Sequence, residues 1–414
     1  MDTDVVVVGA GLAGLRCARE VAAAGRSVVV LEAGTRVGGR MVTDEVDGFL
    51  CDRGFQVLNP AYPAVRRDVD LDALGLQQFG AGALVRTDED LHLLADPRRH
   101  PASLPRTLAS GLVDPRELAA LGRWAAPTLV APGRAKSGRR DVTLRASLDE
   151  AGVQGALRDV LDRFLAGVLA DPTGSSSADF VRLLVRSFAL GRPGLPVRGM
   201  QALPELLARG LDVRLESPVA EVGRDRVRLE SGETLTADQV VVAADPLAAA
   251  RLVGLPEPAV KGLVTWWFEA PEPPDRRPFL VLDGRSAPRG ANPGPVWNAA
   301  VVSAAAPSYA PPGRHLVQAT TLLGAPDGQA GEQAVLAHLA QLYDSSTDDW
   351  QTVVRHEVPL TLPAQPPPLV LRRPAETAAG VLVCGDHRDT ASIQGALVSG
   401  ARVGRVAARV PPAR

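Results

Sequence analysis

The stretch from Asp4 to Arg40 constrains this 414-residue chain more than any other, because it joins a short apolar run to closely spaced glycines. Residues 5–8 are four valines, the length and β-branched character of a buried parallel strand. Gly9, Gly11 and Gly14 follow in G-x-G-x-x-G spacing. The first glycine permits a tight turn, the second lets a pyrophosphate approach the backbone, and the third lets helix and strand pack closely. We therefore predict a strand, a turn and a helix whose N-terminus faces a dinucleotide.

A carboxylate follows the next predicted strand. This strand spans Ser27 to Leu31, and Glu32 comes directly after it, about 20 residues past the first glycine, where an acid accepts hydrogen bonds from the adenosine ribose. The loop beyond it contains Gly38, Gly39 and Arg40, so it can pass over a cofactor while the guanidinium binds a phosphate. These features predict a dinucleotide site, and at this point NAD, NADP and FAD all remain open.

Composition excludes several other classes of protein. The net charge of −2 and the 22% of charged residues describe an ordinary globular protein with no nucleic-acid partner. Cys17, Cys51 and Cys384 are too far apart in sequence to suggest a disulfide framework or a metal site. No signal peptide or long apolar stretch is recognisable, so we expect a cytoplasmic protein with at most peripheral membrane contact.

The middle of the chain is predicted to be helical and then rich in strands. Residues 97–207 carry apolar residues at helical spacing, with helices expected at Pro115–Ala126, Val153–Leu169 and Ser177–Leu190. The apolar stripe of Leu157, Leu161, Phe164 and Leu165 is expected to pack in the core. From Val213 the period changes to two, and residues 237–246 read as a buried strand that returns to the first sheet. Further strands are expected at Gly262–Glu269, Pro278–Leu282, Val296–Ala304, His315–Leu323 and Trp350–Val358, with one helix at Glu332–Tyr343.

A second cofactor element is predicted near the C-terminus. An apolar strand ends at Gly385 and Asp386, and a helix rich in small residues begins near Ser392. Asp386 can accept a hydrogen bond from a ribityl hydroxyl, and the helix N-terminus near Gln394 and Gly395 can face the electron-rich edge of a flavin. Small residues should let this helix pack against the glycine-rich helix or the cofactor: Gly395, Ala396, Ser399 and Gly400.

Two ends of a chain that cooperate on one dinucleotide are typical of FAD folds. The sequence resembles the flavin-containing amine oxidoreductase superfamily, which includes monoamine oxidases, protoporphyrinogen oxidase and phytoene-desaturase-type enzymes. The matching motifs lie in family order along nearly the whole chain: Val7–Leu15, Glu32–Arg40, Asp52–Gln56, Gly199–Leu203, Val219, Gly385–Asp386 and Gly395–Gly400. The closing motif is most similar to a branch described only as FAD-dependent oxidoreductases.

The resemblance implies an α/β fold with a discontinuous Rossmann-type FAD-binding domain and an interleaved substrate domain. The FAD-binding domain is expected at residues 1–85, 205–250 and 372–414, and the substrate domain, a helical insert plus a mixed sheet, at 86–204 and 251–371. The residues expected to bind non-covalent FAD are Gly9, Gly11, Leu12, Ala13, Gly14, Glu32, Ala33, Gly38, Gly39, Arg40, Gly54, Phe55, Gln56, Val219, Gly385, Asp386, Gln394, Gly395 and Ala396.

The resemblance also implies an enzyme that transfers a hydride from a small organic substrate to flavin N5, with oxygen, a quinone or another compound as electron acceptor. We favour an apolar, polycyclic or isoprenoid-like substrate, because Ile393 and Gln394 stand where amine oxidases of this superfamily place a cage aromatic. An amine oxidase that produces hydrogen peroxide is the first alternative, and a non-redox or structural FAD-binding protein is the second. The substrate-side candidates are His387, Arg388, Asp389, Gln394 and Lys261, and no metal site is predicted.

Overall fold

Two seven-stranded sheets organise the chain in the computed structural model, which describes residues 2–130, 140–288 and 290–409. The strands are β1 Thr3–Val8, β2 Val28–Leu31, β3 Thr43–Val46, β4 Phe49–Asp52, β5 Gln77–Gln78, β6 Gly82–Arg86, β7 Leu91–Ala95, β8 Gly194–Leu195, β9 Asp212–Arg214, β10 Val219–Val222, β11 Arg226–Leu229, β12 Thr234–Val242, β13 Val260–Ala270, β14 Leu280–Asp283, β15 Asn298–Val301, β16 His315–Leu322, β17 Gln351–Pro363 and β18 Leu382–Val383. The helices are α1 Leu12–Ala23, α2 Pro63–Asp68, α3 Leu71–Leu74, α4 Leu104–Ala109, α5 Pro115–Val130, α6 Leu144–Glu150, α7 Gly155–Leu169, α8 Ala178–Leu190, α9 Ala202–Ala208, α10 Pro246–Val253, α11 Val302–Ala305, α12 Glu332–Tyr343 and α13 Ile393–Ala407.

The first sheet has a parallel core in the order β18-β12-β1-β2-β9, and β11 and β10 extend it as an antiparallel pair. Its central strands are continuous apolar runs because both faces are covered. Val5 and Val7 pack on the side of α1 and α13, whereas Val6 and Val8 pack on the side of α10 and the β10–β11 hairpin. The predicted doubly covered strand at residues 5–8 is confirmed.

The C-terminal segment returns to this sheet as strand β18, which pairs with β12. The end of β12 pairs in parallel with β18, with Val241 beside Leu382. Helix α13 then lies against α1 at very short range, since a Cβ atom built on Gly400 would lie 2.2 Å from the carbonyl oxygen of Ala13. A Cβ atom on Gly404 would likewise lie 2.6 Å from the carbonyl oxygen of Cys17. Only glycine fits at these contacts, so the predicted packing through small residues is present.

The second sheet is mixed, with the order β17-β13-β16-β15-β14-β6-β7. One face packs on α12 through Trp266 and Val317. The opposite face carries Leu280 and Leu282 and faces the helical insert. This alternation is the period of two expected for a sheet with differently covered faces.

Most predicted elements are present within a few residues of their expected limits, including the helices at 115–126, 153–169 and 177–190. The prediction of one strand over Val296–Ala304 is wrong in its second half, because the chain forms α11 from Val302 to Ala305. Alanine-rich sequence before Pro307 favours a helical turn over an extended strand. The domain boundaries stay a prediction, although β6 joins the mixed sheet from Gly82 onward. Within the described ranges, no helix is both long and apolar enough to traverse a bilayer.

Candidate cofactor and substrate site

One cavity of about 1750 Å³ runs from the carboxyl ends of the parallel strands to the space between the helical insert and the mixed sheet. We call its first part the nucleotide end, defined by Gly9, Gly11, Glu32, Val219 and Asp386. Most of the residues predicted to bind FAD converge here from five separate segments of the chain. Those that line the cavity are Gly9, Gly11, Leu12, Ala13, Glu32, Ala33, Gly38, Gly39, Arg40, Phe55, Gln56, Val219, Gly385, Asp386 and Ala396.

The three motif glycines have three different environments. Gly9 has a positive φ of +104°, which favours glycine, and its N–H donates to the carbonyl of Leu31 at 2.7 Å. A Cβ atom on Gly14 would lie 2.0 Å from the carbonyl oxygen of Gly9, so helix α1 and the turn can pack only without it. A Cβ atom on Gly11 would meet no described atom within 4 Å. Gly11 therefore borders open space at the N-terminus of α1, a cradle that suits a pyrophosphate.

Glu32 organises the loops at the end of β2. Its carboxylate accepts hydrogen bonds from the backbone N–H groups of Ala10 at 2.7 Å and Gly34 at 3.0 Å. Its carbonyl accepts from the N–H of Ser217, two residues before Val219. The carboxylate thus lies beside the glycine turn, where we predicted that the ribose of an adenine nucleotide binds.

The loop at Gly38 and Gly39 crosses directly over this turn. The Gly38 N–H donates to the carbonyl of Ala10 at 2.9 Å, and Gly38 forms an isolated bridge with Gly11. Arg40 then extends to the C-terminal element, where its guanidinium donates to Asp386 at 2.7 Å and to the carbonyl of Thr361 at 2.8 Å. Burial lowers the pKa of Arg40, but the neighbouring Asp386 carboxylate outweighs it, so the net pKa is raised. Two residues predicted to contact different parts of FAD therefore also contact each other.

A buried carboxylate, Asp52, supports the turn at Phe55 and Gln56. It accepts hydrogen bonds from the hydroxyl groups of Thr43 and Tyr309, and from the Met200 N–H at 3.1 Å. Burial raises the pKa of Asp52 to about 6. From the sequence we identified Asp52 only as a motif residue and did not predict that it joins Thr43, Met200 and Tyr309. An acid at the end of an apolar strand was the signal available for this prediction.

Several predicted residues lie elsewhere. Gly14 and Gly54 do not line the cavity, and neither does Gln394, whose side-chain oxygen accepts from the Ala64 N–H at 2.8 Å and so caps α2. The Gly395 N–H is bonded to the N-cap residue Ser392 at 3.1 Å. The predicted helix start near Ser392 is confirmed.

The substrate-side candidates need correction. His387 and Arg388 do not line the cavity because a 3₁₀ turn at Asp386–Arg388 carries the chain away from it. The same holds for Asp389, whose carboxylate accepts from the Thr390 N–H at 3.0 Å. Lys261 is held in an ion pair with Asp171 at 2.7 Å, outside the cavity lining. None of these four side chains is placed to contact a substrate in the cavity.

The second part of the cavity, which we call the substrate chamber, lies between α7, α8 and the mixed sheet. The expectation that the stripe on α7 packs in the core is confirmed for Leu157 and Leu165, which are buried, although Leu157 also borders the chamber. It is wrong for Leu161 and Phe164, which are only partly buried and line the chamber. The stripe is wide enough for one edge to face α6 and α8 while the other faces the chamber. The apolar residues that line the chamber include Leu157, Val160, Leu161, Phe164, Val168, Leu184, Phe188, Leu280 and Leu282.

Few polar groups reach the chamber. Among the described residues that line it, the one carboxylate is Asp96, which pairs with Arg98 at 2.7 Å. Burial raises the pKa of Tyr62 to about 12, and its hydroxyl has no hydrogen-bond partner in the described part of the chain. The chamber therefore offers neutral hydrogen-bonding groups, the guanidinium of Arg99, which donates to the Gly191 carbonyl at 3.0 Å, and no unpaired negative charge among its described residues.

Together, the fold and this cavity define an α/β protein whose glycine turn suits a dinucleotide and whose cavity continues into an apolar chamber. Residues 12–408 match the family model described as flavin containing amine oxidoreductase. That span is nearly the whole chain, and the chain belongs to the flavin-containing amine oxidoreductase family. The family is flavin-containing by definition, which agrees with the predicted class of cofactor.

Relatives in this family include enzymes with different substrates. Polyamine oxidase 3 of Oryza sativa subsp. japonica is 30% identical over 260 residues, which are 58% of this chain and 50% of that protein. Coproporphyrinogen III oxidase of Propionibacterium freudenreichii subsp. freudenreichii is 26% identical over 311 residues, which are 60% of this chain and 58% of that protein. The matched segments thus span about half the length of these relatives.

The fold is shared with solved structures. An oxidoreductase from Methanosarcina mazei superimposes with a TM-score of 0.72 at 16% identity, and the match covers 97% of this chain and 100% of that one. At this identity the likeness establishes the fold. The predicted α/β fold of the amine-oxidase type is confirmed.

Proposed function

We propose that this chain is an FAD-dependent oxidoreductase that oxidises a neutral, largely apolar organic molecule bound in the substrate chamber. The observation that carries this proposal is the single cavity that joins the nucleotide end to the chamber. The predicted cofactor residues meet at one end of it, and apolar side chains surround the other. A protein that bound FAD only as a structural element would not need a continuous second compartment.

The residues at the nucleotide end fit an FAD molecule. Gly11 leaves room for a pyrophosphate, and Glu32 and Asp386 offer carboxylates for the two sugar-like portions. FAD bound there supplies a two-electron acceptor. Non-covalent binding is supported because Cys17, Cys51 and Cys384 are fully buried and none of them lines the cavity.

The chain itself contributes to the reaction by positioning the donor molecule and by excluding water from the chamber. Apolar side chains of α7 and α8 exclude water from the chamber, and they hold a donor molecule next to the flavin end of the cavity. The donor loses a proton as well as a hydride, and this proton can pass to solvent through the open part of the cavity, so the reaction needs no dedicated acid or base in the protein. The absence of a free carboxylate among the described chamber residues is consistent with this chemistry.

An amine oxidase is the second candidate, and the rice polyamine oxidase favours it. The chamber's electrostatics favour the first candidate, because a buried ammonium group needs a carboxylate or a comparable partner. Asp96, the one described acid of the chamber, is already paired with Arg98.

The test is anaerobic reduction of the FAD-loaded protein, followed as bleaching of the flavin absorbance. Neutral donors such as 1,2-dihydronaphthalene are compared with putrescine and cyclohexylamine at equal concentration. We expect bleaching by the neutral donor, which loses a hydride and a proton to become naphthalene. Faster bleaching by the amines would establish the amine oxidase instead, and conversion of a substrate without bleaching would indicate a non-redox role.

A further inference from the structure

A strip of polar side chains crosses the otherwise apolar sheet wall of the substrate chamber. Asn298 on β15 lies directly beside Thr320 on β16 in the antiparallel register, and both side chains line the chamber. Their neighbours on the same wall are leucines at positions 263, 280 and 282. Two adjacent polar residues in such a wall call for a physical reason, because buried polar groups are normally hydrogen-bonded.

The Asn298 carboxamide has no such partner in the described structure. Only 6% of the residue is exposed, and its Oδ1 atom is buried without a hydrogen-bond partner among the described residues. A buried amide that is removed from water and left unpaired is unfavourable. Because Oδ1 can only accept, its remaining source of a partner is a donor, such as a hydroxyl group, on a ligand in the chamber.

The facing helix leaves space for this carboxamide. Gly167 lies inside α7, where glycine weakens a helix relative to alanine. A Cβ atom built on Gly167 would lie only 2.4 Å from Nδ2 of Asn298. The glycine therefore keeps the Asn298 side chain in place at the wall of the chamber.

Thr320 provides a second polar group. Its Oγ1 atom accepts a hydrogen bond from Nε2 of Gln318 at 2.5 Å, which leaves the hydroxyl proton of Thr320 free to donate. The Oε1 atom of Gln318 is itself buried without a described partner. All three side chains are neutral, so the strip suits a polar group without charge.

We propose that Asn298, with Thr320 beside it, binds one uncharged carbonyl or hydroxyl group of an otherwise apolar substrate and so determines which substrates are accepted. This inference rests on the proposed function and narrows its substrate class. A carbonyl or hydroxyl oxygen can accept from Nδ2 of Asn298 or from the Thr320 hydroxyl, and a hydroxyl group can in addition donate to the unpartnered Oδ1 atom. An ammonium group can donate to Oδ1 of Asn298, but the strip has no negative charge to offset the loss of its hydration.

Three probes of similar shape test this inference: 1-tetralone, tetralin and 1-aminotetralin. FAD uptake is measured first from the visible spectrum, which tests the proposed function by itself. Probe affinity is then measured by calorimetry on the FAD-loaded protein. We expect 1-tetralone to bind about 5- to 10-fold more tightly than tetralin, the range of one net hydrogen bond, and 1-aminotetralin to bind more weakly than the ketone.

Two variants test whether the preference for the ketone over the hydrocarbon depends on Asn298. In Asn298→Leu the ketone and the hydrocarbon should bind equally, while tetralin affinity stays within about twofold because the volume is similar. In Thr321→Val the preference for the ketone should remain, since Thr321 faces the other side of β16 and bonds to the Gly328 carbonyl. The inference is overturned if Asn298→Leu keeps the ketone preference, if the amine binds most tightly, or if an FAD-loaded protein binds no probe. Failure to take up FAD would instead overturn the proposed function.

Discussion

At the nucleotide end of the cavity the chain presents mostly backbone, whereas in the substrate chamber it presents mostly side chains. Gly9, Gly14 and Gly38 shape the first region through turns and close approaches that depend on missing Cβ atoms. Leu161, Phe164 and their neighbours form the second through the faces of two helices and a sheet. A change at the nucleotide end should therefore disturb folding or cofactor binding, while a change in the chamber should alter ligand preference and leave the cofactor in place.

The largest effect is expected for Gly14→Ala. The added Cβ atom would lie 2.0 Å from the backbone oxygen of Gly9, which no side-chain movement can relieve. We expect the free energy of unfolding of the FAD-free protein to fall by about 3 kcal/mol or more, as measured by urea denaturation.

The matched control is Gly122→Ala in α5, where no described atom lies within 4 Å of the new Cβ atom. That variant should be unchanged or more stable by about 0.5–1 kcal/mol. Equal stability of Gly14→Ala and the wild type would show that the packing of α1 on the turn is not as close as described.

A smaller effect is expected at the pair that joins the two ends of the chain. Arg40→Met leaves the Asp386 carboxylate, with 5% of its side chain exposed, without its guanidinium partner. We expect a cost of about 2 kcal/mol, less than for a fully buried pair because the Arg40 side chain is 31% exposed. Adding Asp386→Asn should restore part of the loss, and a simple sum of the two single effects in the double-mutant cycle would show that the pair does not interact.

The buried His387 side chain should make the free energy of unfolding depend on pH, by a similar or smaller amount. Burial lowers the pKa of His387 to about 4, below the ordinary value of 6.5. The unfolded chain therefore binds a proton between these values while the folded chain does not, so stability is full above pH 6.5 and falls as the pH drops toward 4. Between pH 7 and pH 5 the loss should be about 2 kcal/mol larger in the wild type than in His387→Gln, measured by urea unfolding at several pH values. If the free energies of unfolding of the two proteins changed with pH in parallel, this prediction would be wrong.

The smallest effect is expected in the chamber. Phe188 packs edge-on against Phe164 with ring centroids 5.3 Å apart. Phe188→Leu should cost about 1 kcal/mol of stability, and FAD affinity should stay within about twofold because the change lies away from the nucleotide end. A tenfold loss of FAD affinity in a titration would break the distinction between the two regions.

The same contrast explains what could be predicted from the sequence. The glycine positions of the nucleotide end were predictable, because a turn or a helix contact that requires a missing Cβ atom requires glycine at that position. Not every residue was, since Gly54, Gln394 and Gly395 were expected there and do not line the cavity. The chamber was not, because whether Leu161 faces a core or a cavity depends on how α7 packs against distant helices and strands. Gln394 and Lys261 failed for a related reason: each bonds to a group far away in sequence, the Ala64 N–H and the Asp171 carboxylate.

The absorbance spectrum of the purified protein, before and after acid precipitation, tests the central claim most directly. The claim is that one cavity, built at its nucleotide end from backbone, holds FAD without a covalent bond. We predict flavin absorbance in the native protein and release of all of it into the supernatant. A colourless protein that takes up no added FAD, or flavin that stays with the precipitate, would contradict this claim.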